Sequence, residues 1–119
     1  MAIQIVYTSG SGHVRGFLQD CDGNTVTREM VTDIRVNIFR KYLGEYIPID
    51  AYMDKSIPLT AILEEVKIDH DQKQYNVDFD PFDGINSPFP VRNAGYVIEV
   101  IFQATTGERS VHQVEAESR

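Results

Sequence analysis

Ala94 to Glu117, AGYVIEVIFQATTGERSVHQVEAE, is the stretch whose reading decides the fold. Tyr96, Ile98, Val100 and Phe102 alternate with Val97, Glu99, Ile101 and Gln103, which is the period of a strand with one dry face. Thr105, Thr106 and Gly107 then predict a three-residue hairpin loop, because glycine takes the left-handed conformation on which such loops end. The register follows from the chemistry of the pairs. With that loop Phe102 faces Ser110, Val100 faces His112, Ile98 faces Val114 and Tyr96 faces Ala116, so one face is mostly apolar. A two-residue loop would set Val100 against Gln113 and Ile98 against Glu115, burying polar groups without partners.

Working outward from the hairpin, Val31 to Arg40 carries the same alternation, with Ile34, Val36 and Ile38 inward, and predicts a central strand. Tyr75, Val77 and Phe79 alternate with Asn76, Asp78 and Asp80 in another strand. Ile3, Ile5 and Tyr7 predict a first strand, ended by Ser9-Gly10-Ser11-Gly12, where a hinge is expected. His13 to Gln19 predicts a second strand, and Asp20-Cys21-Asp22-Gly23-Asn24 a tight reversal. Tyr46-Ile47-Pro48-Ile49 belongs at a sheet edge, because proline cannot donate to a ladder. Residues 56 to 71 fit two templates: Leu59, Ile62, Leu63 and Val66 make a helical stripe, whereas Ile62, Glu64, Val66 and Ile68 make a strand. Extended structure is expected for most of it, with room for one short helix near 58–66. The residues DPFDGINSPFPVRNAG form a long loop of the kind that often docks a partner. About seven short strands divided by Gly, Pro and Asp turns predict an all-β, two-sheet antiparallel sandwich. Residues 1–12 read as an N-terminal strand or arm and 13–119 as one domain.

The chain has 119 residues, 42% of them hydrophobic, enough for one core. A net charge of −7 argues against nucleic acid, whose affinity comes largely from Lys and Arg displacing counterions. With a single cysteine, Cys21, no intrachain disulfide forms. The N-terminus MAIQIVYT has no basic region followed by a long apolar run and no stretch reaches membrane-spanning length, so synthesis and assembly in the cytoplasm are expected.

Chemical motifs are weak. DCDGN opens like a calcium loop, but counting Asp20 as the first position the twelfth is Val31 rather than a glutamate, so a hairpin turn is the better reading. Asp78, Asp80 and Asp83 could hold a hard cation but read as solvated carboxylates. His13, His70 and His112 have no metal-ligand spacing, and His112 is expected near the core. Neither a nucleophile elbow nor a phosphate loop is present, so no enzyme, metal or cofactor is expected. On the outward face of the hairpin Ile101 opposes Val111, with Val97 nearby, making a candidate apolar patch on a wet face. Phe82 and Phe89 either plug the end of the sandwich or anchor a partner.

The segment order VRGFLQDCDGNTVT, VTDIRVNIFR, IPLTA, YNVDFDP and NAGYVIEVIFQATTGERSVHQVEAE resembles the immunoglobulin-like β-sandwich modules of bacterial surface proteins and tailed-phage structural proteins. Its most specific part is Asn93-Ala94-Gly95-Tyr96, similar to the tyrosine corner of that architecture. The disulfide and core Trp of antibody domains are absent. The resemblance implies a non-enzymatic virion component, a capsid decoration or cement protein or a tail or baseplate adaptor. Its partners would be other virion proteins or further copies of itself, with no role for nucleic acid or membrane. Contact would run through sheet edges, the Phe82 to Pro90 loop and Val97, Ile101 and Val111. The alternative is a carbohydrate-binding or host-adhesion module using Tyr42, Tyr46 and Tyr52 as an aromatic platform. A calcium-dependent or hydrolytic enzyme has the least support.

Overall fold

The fold is seen in a computed structural model, which describes residues 4–8, 12–20, 22–69 and 71–119. The hairpin register holds throughout: Phe102 pairs with Ser110, Val100 with His112, Ile98 with Val114 and Tyr96 with Ala116. The loop is Thr105 to Gly107, bracketed by the Ala104 N–H donating to Glu108 O at 2.7 Å, and Gly107 sits at φ +93°. The two strands are β8 (Gly95–Ala104) and β9 (Arg109–Ser118).

Around this hairpin the large sheet runs β1 (Gln4–Val6), β9, β8, β3 (Val31–Tyr42), β4 (Glu45–Pro48), with β5 (Lys55–Ile57) also paired to β3. Pro48 lies on the edge strand, as its missing N–H requires. The small sheet is β2 (Val14–Gly16), β7 (Gln74–Phe79), β6 (Ile62–Ile68). The ambiguous 56–71 segment resolves into a 3₁₀ turn, Leu59–Ala61, feeding strand β6. The expectation of extended structure there is met, and the helical stripe shrinks to that one turn.

The core lies between the sheets. Ile34, Val36, Ile38, Tyr96, Ile98, Val100, Val114 and Ala116 of the large sheet meet Val14, Ile62, Val77 and Phe79 of the small one. Two sheets packed over one core make the all-β sandwich expected from the sequence. Two details differ from the sequence expectation. Nine strands are described rather than about seven, the additions being short edge pieces. And β1 runs parallel to β9, Gln4 opposite Ala116 and Val6 opposite Ser118, so the sheets are not wholly antiparallel. The N-terminal strand is thus built into the large sheet, with Val6 in the core. The hinge expected at Ser9 to Ser11, and the positions of Ile3, Cys21 and His70, lie outside the described residues.

Candidate functional site

Strand alternation divides the large sheet into a core face and a face turned away from the small sheet. In register across that outward face stand Arg35, Ile101 and Val111; then Asn37, Glu99 and Gln113; then Phe39, Val97 and Glu115. Val111 is 57% exposed and its cross-strand partner Ile101 is half-buried. Val97 is on the same face but only 2% exposed, although it does not belong to the core cluster. The ion pair of Lys41 Nζ with Glu115 Oε1, 3.2 Å, and the rings of Phe39 and Tyr46, 6.3 Å apart, belong to its neighbourhood. Asn37 Nδ2 donates to Glu99 Oε1 at 3.3 Å. The open aliphatic contribution of this face is therefore Ile101 and Val111, with the exposed ring of Tyr46 at its far edge, and Val97 is already covered by its own chain.

The loop running from Phe82 to Ala94 is held from three sides. The Tyr52 hydroxyl accepts from Asp83 N at 3.1 Å and donates to Asn86 O. Asp83 Oδ1 accepts the N–H groups of Ile85 and Asn86, both at 2.8 Å, which holds its carboxyl below the usual carboxylate range. The Tyr96 hydroxyl accepts from Val91 N at 2.8 Å and donates to Val91 O at 3.2 Å, the bond expected of a tyrosine corner. Burial raises the pKa of that phenol. Ser118 Oγ also donates to Val91 O and accepts from Ala94 N, at 3.1 Å in the latter case. Inside this frame Phe89 is fully buried, edge-on to Tyr96 at 5.2 Å between ring centroids. Phe82 is half-buried. The two phenylalanines therefore part company, Phe89 plugging the sandwich and Phe82 remaining partly open.

No protein-family model, no curated protein and no solved structure matches this chain.

The remaining motif residues have structural partners. Asp20 Oδ1 accepts from Asp22 N at 3.0 Å and Asn24 N at 2.8 Å, bonds that lower its pKa and close the turn marked by the Gln19 to Thr25 bridge. Asp78 faces His13 Nδ1 at 2.8 Å and Arg15 Nε at 3.4 Å. Asp80 Oδ1 caps Phe82 N at 3.0 Å. Among the described residues no group of three or more His, Cys, Asp or Glu is placed to hold a metal. A shallow recess of about 340 Å³ is lined by Thr27, Arg28, Glu29 and Glu64, and its guanidinium is engaged by Ile62 O at 2.9 Å. The tyrosine platform is not assembled. Tyr52 is buried, while Tyr42 shares the face of Arg40 and Tyr46 stands opposite Lys41 on the other face of the hairpin.

Sequence reading missed Asn76. It alternates with the core residues Val77 and Phe79, yet it too is buried, because the Leu18 to Val26 segment lies over it. Its Oδ1 accepts from Leu18 N at 2.7 Å, and its Nδ2 donates to Leu18 O and Val26 O at 3.0 Å each. No sequence signal marks that cover.

Proposed function

We propose that this chain is a non-enzymatic structural protein of a phage virion, a capsid decoration or a tail or baseplate adaptor, acting through protein–protein contacts. The observation that carries the contact reading is the Ile101/Val111 pair: two branched side chains directly opposite one another on the outward face of a six-stranded sheet, one of them more than half exposed. A pair held on a sheet face is presented at small ordering cost on binding. The virion assignment itself rests on the resemblance of the strand-and-corner pattern, since a fold alone does not set function. Phe82 and the well-tied loop around it add a second, smaller contact. Phe89 and Val97 support the fold behind these contacts instead of touching a partner.

The decisive experiment is assembly of particles with Val111→Asp. That chain should fold with an unchanged melting temperature, because the side chain is exposed, and should be missing or much depleted from purified particles by mass spectrometry. Undiminished incorporation, or selective binding of the wild-type chain on a glycan array, would overturn the proposal.

A further inference from the structure

The turn between β3 and β4 carries a conformational oddity. Leu43 adopts φ +49° and Gly44 φ +79°, the left-handed pair of a tight hairpin, at a position that favours Asn or Gly. A bulky side chain there is a backbone outlier, and this one gains no packing in return: Leu43 is 86% exposed. Beside it the Arg40 guanidinium lies over the ring of exposed Tyr42, 4.8 Å from its centroid. Arg40 Nε is buried without a hydrogen-bond partner, and among the described residues no carboxylate pairs with Arg40. A strained apolar apex thus sits next to an uncompensated cation.

The chain also holds the counterpart. On the outward face Ile101 and Val111 are flanked by Glu99, whose carboxylate takes a hydrogen bond from Asn37 and has no cation among the described residues. Ile101 pairs with Arg35, eight residues along β3 from Leu43, so the two features stand about 26 Å apart and one chain can offer both at once.

We propose that copies of this chain contact one another, the Arg40–Tyr42–Leu43 corner of one seating on the Ile101/Val111 pair of the next with Arg40 opposite Glu99. This rests on the reading of that face as a contact surface and names a second copy as its occupant. The net charge of −7 opposes association in dilute solution, so the contact forms at high protein concentration and at salt sufficient to screen the repulsion.

Sedimentation velocity over a concentration series tests it. Wild type should associate as concentration rises, while Leu43→Asp and Val111→Asp should each stay monomeric with unchanged melting temperature. An equimolar mixture of the two variants should associate again, because one keeps an intact face and the other an intact corner. Leu43→Asn should weaken association yet raise the melting temperature by about 3 °C as the strained turn relaxes. Wild type that stays monomeric at its highest soluble concentration overturns the self-contact, as does a folded mixture that fails to associate. If Val111→Asp is nevertheless excluded from particles, the face binds a different protein and only the second-copy occupant falls.

Discussion

Asn76 illustrates how one polar side chain can hold a loop to a sheet. Its amide accepts the Leu18 N–H and donates to two carbonyls, Leu18 O and Val26 O, all away from water. A buried N–H left without an acceptor costs more than the bond itself contributed. Asn76→Ala should therefore destabilise the domain by about 1–3 kcal/mol in urea unfolding. Asn76→Asp should be no better, since a buried carboxylate can accept from Leu18 but cannot donate to the carbonyls. A variant of wild-type stability would show that water replaces the amide.

At the scale of elements, the long loop before β8 is tied down by hydrogen bonds as a strand is, but by different means. Strands are satisfied by their neighbours; this segment is satisfied by Tyr52, Tyr96 and Ser118 reaching in from three places. The chain thereby leads Phe89 into the core and leaves Phe82 at the rim. Truncating each should separate the roles. Phe89→Ala should cost about 3–5 kcal/mol, the range for emptying a fully buried aromatic site. Phe82→Ala should cost only about 1 kcal/mol, as befits a half-buried side chain. Equal melting temperatures for the two variants would contradict this division. Phe89 should suffer the larger loss because the space it fills lies against the Tyr96 ring. The loop's length and prolines were legible in the sequence; which phenylalanine turned inward depended on hydroxyl groups far along the chain.

Across the whole molecule, the two sheets meet closely where β2 passes β9. A Cβ added at Gly16 would come within 3.2 Å of His112 Cδ2 and 3.3 Å of Nε2, so the glycine makes room for the imidazole, with Val114 alongside. Burial lowers the pKa of His112 from its ordinary 6.5. The unfolded chain therefore binds a proton more readily than the folded one. Stability from this group is fully present above pH 6.5 and is lost as pH falls through that value toward the folded pKa. Urea midpoints should decline between neutral pH and about pH 5, before the carboxylates titrate, and His112→Gln should flatten the decline. An unchanged slope in the variant would assign the acid sensitivity elsewhere.

What the amino-acid sequence determined alone was the hairpin, its loop and register, the edge position of Pro48, the turn at Asp20 and the sandwich class. These follow from alternation and turn chemistry over a few residues, where each side chain's preference is set by its immediate neighbours. The tertiary structure alone decided that β1 closes parallel against β9, that Tyr52, Phe89, Val97 and Asn76 are covered, and that Tyr42 and Tyr46 face apart. Burial is a property of what other segments lie overhead, and the segments that cover these residues are tens of positions away.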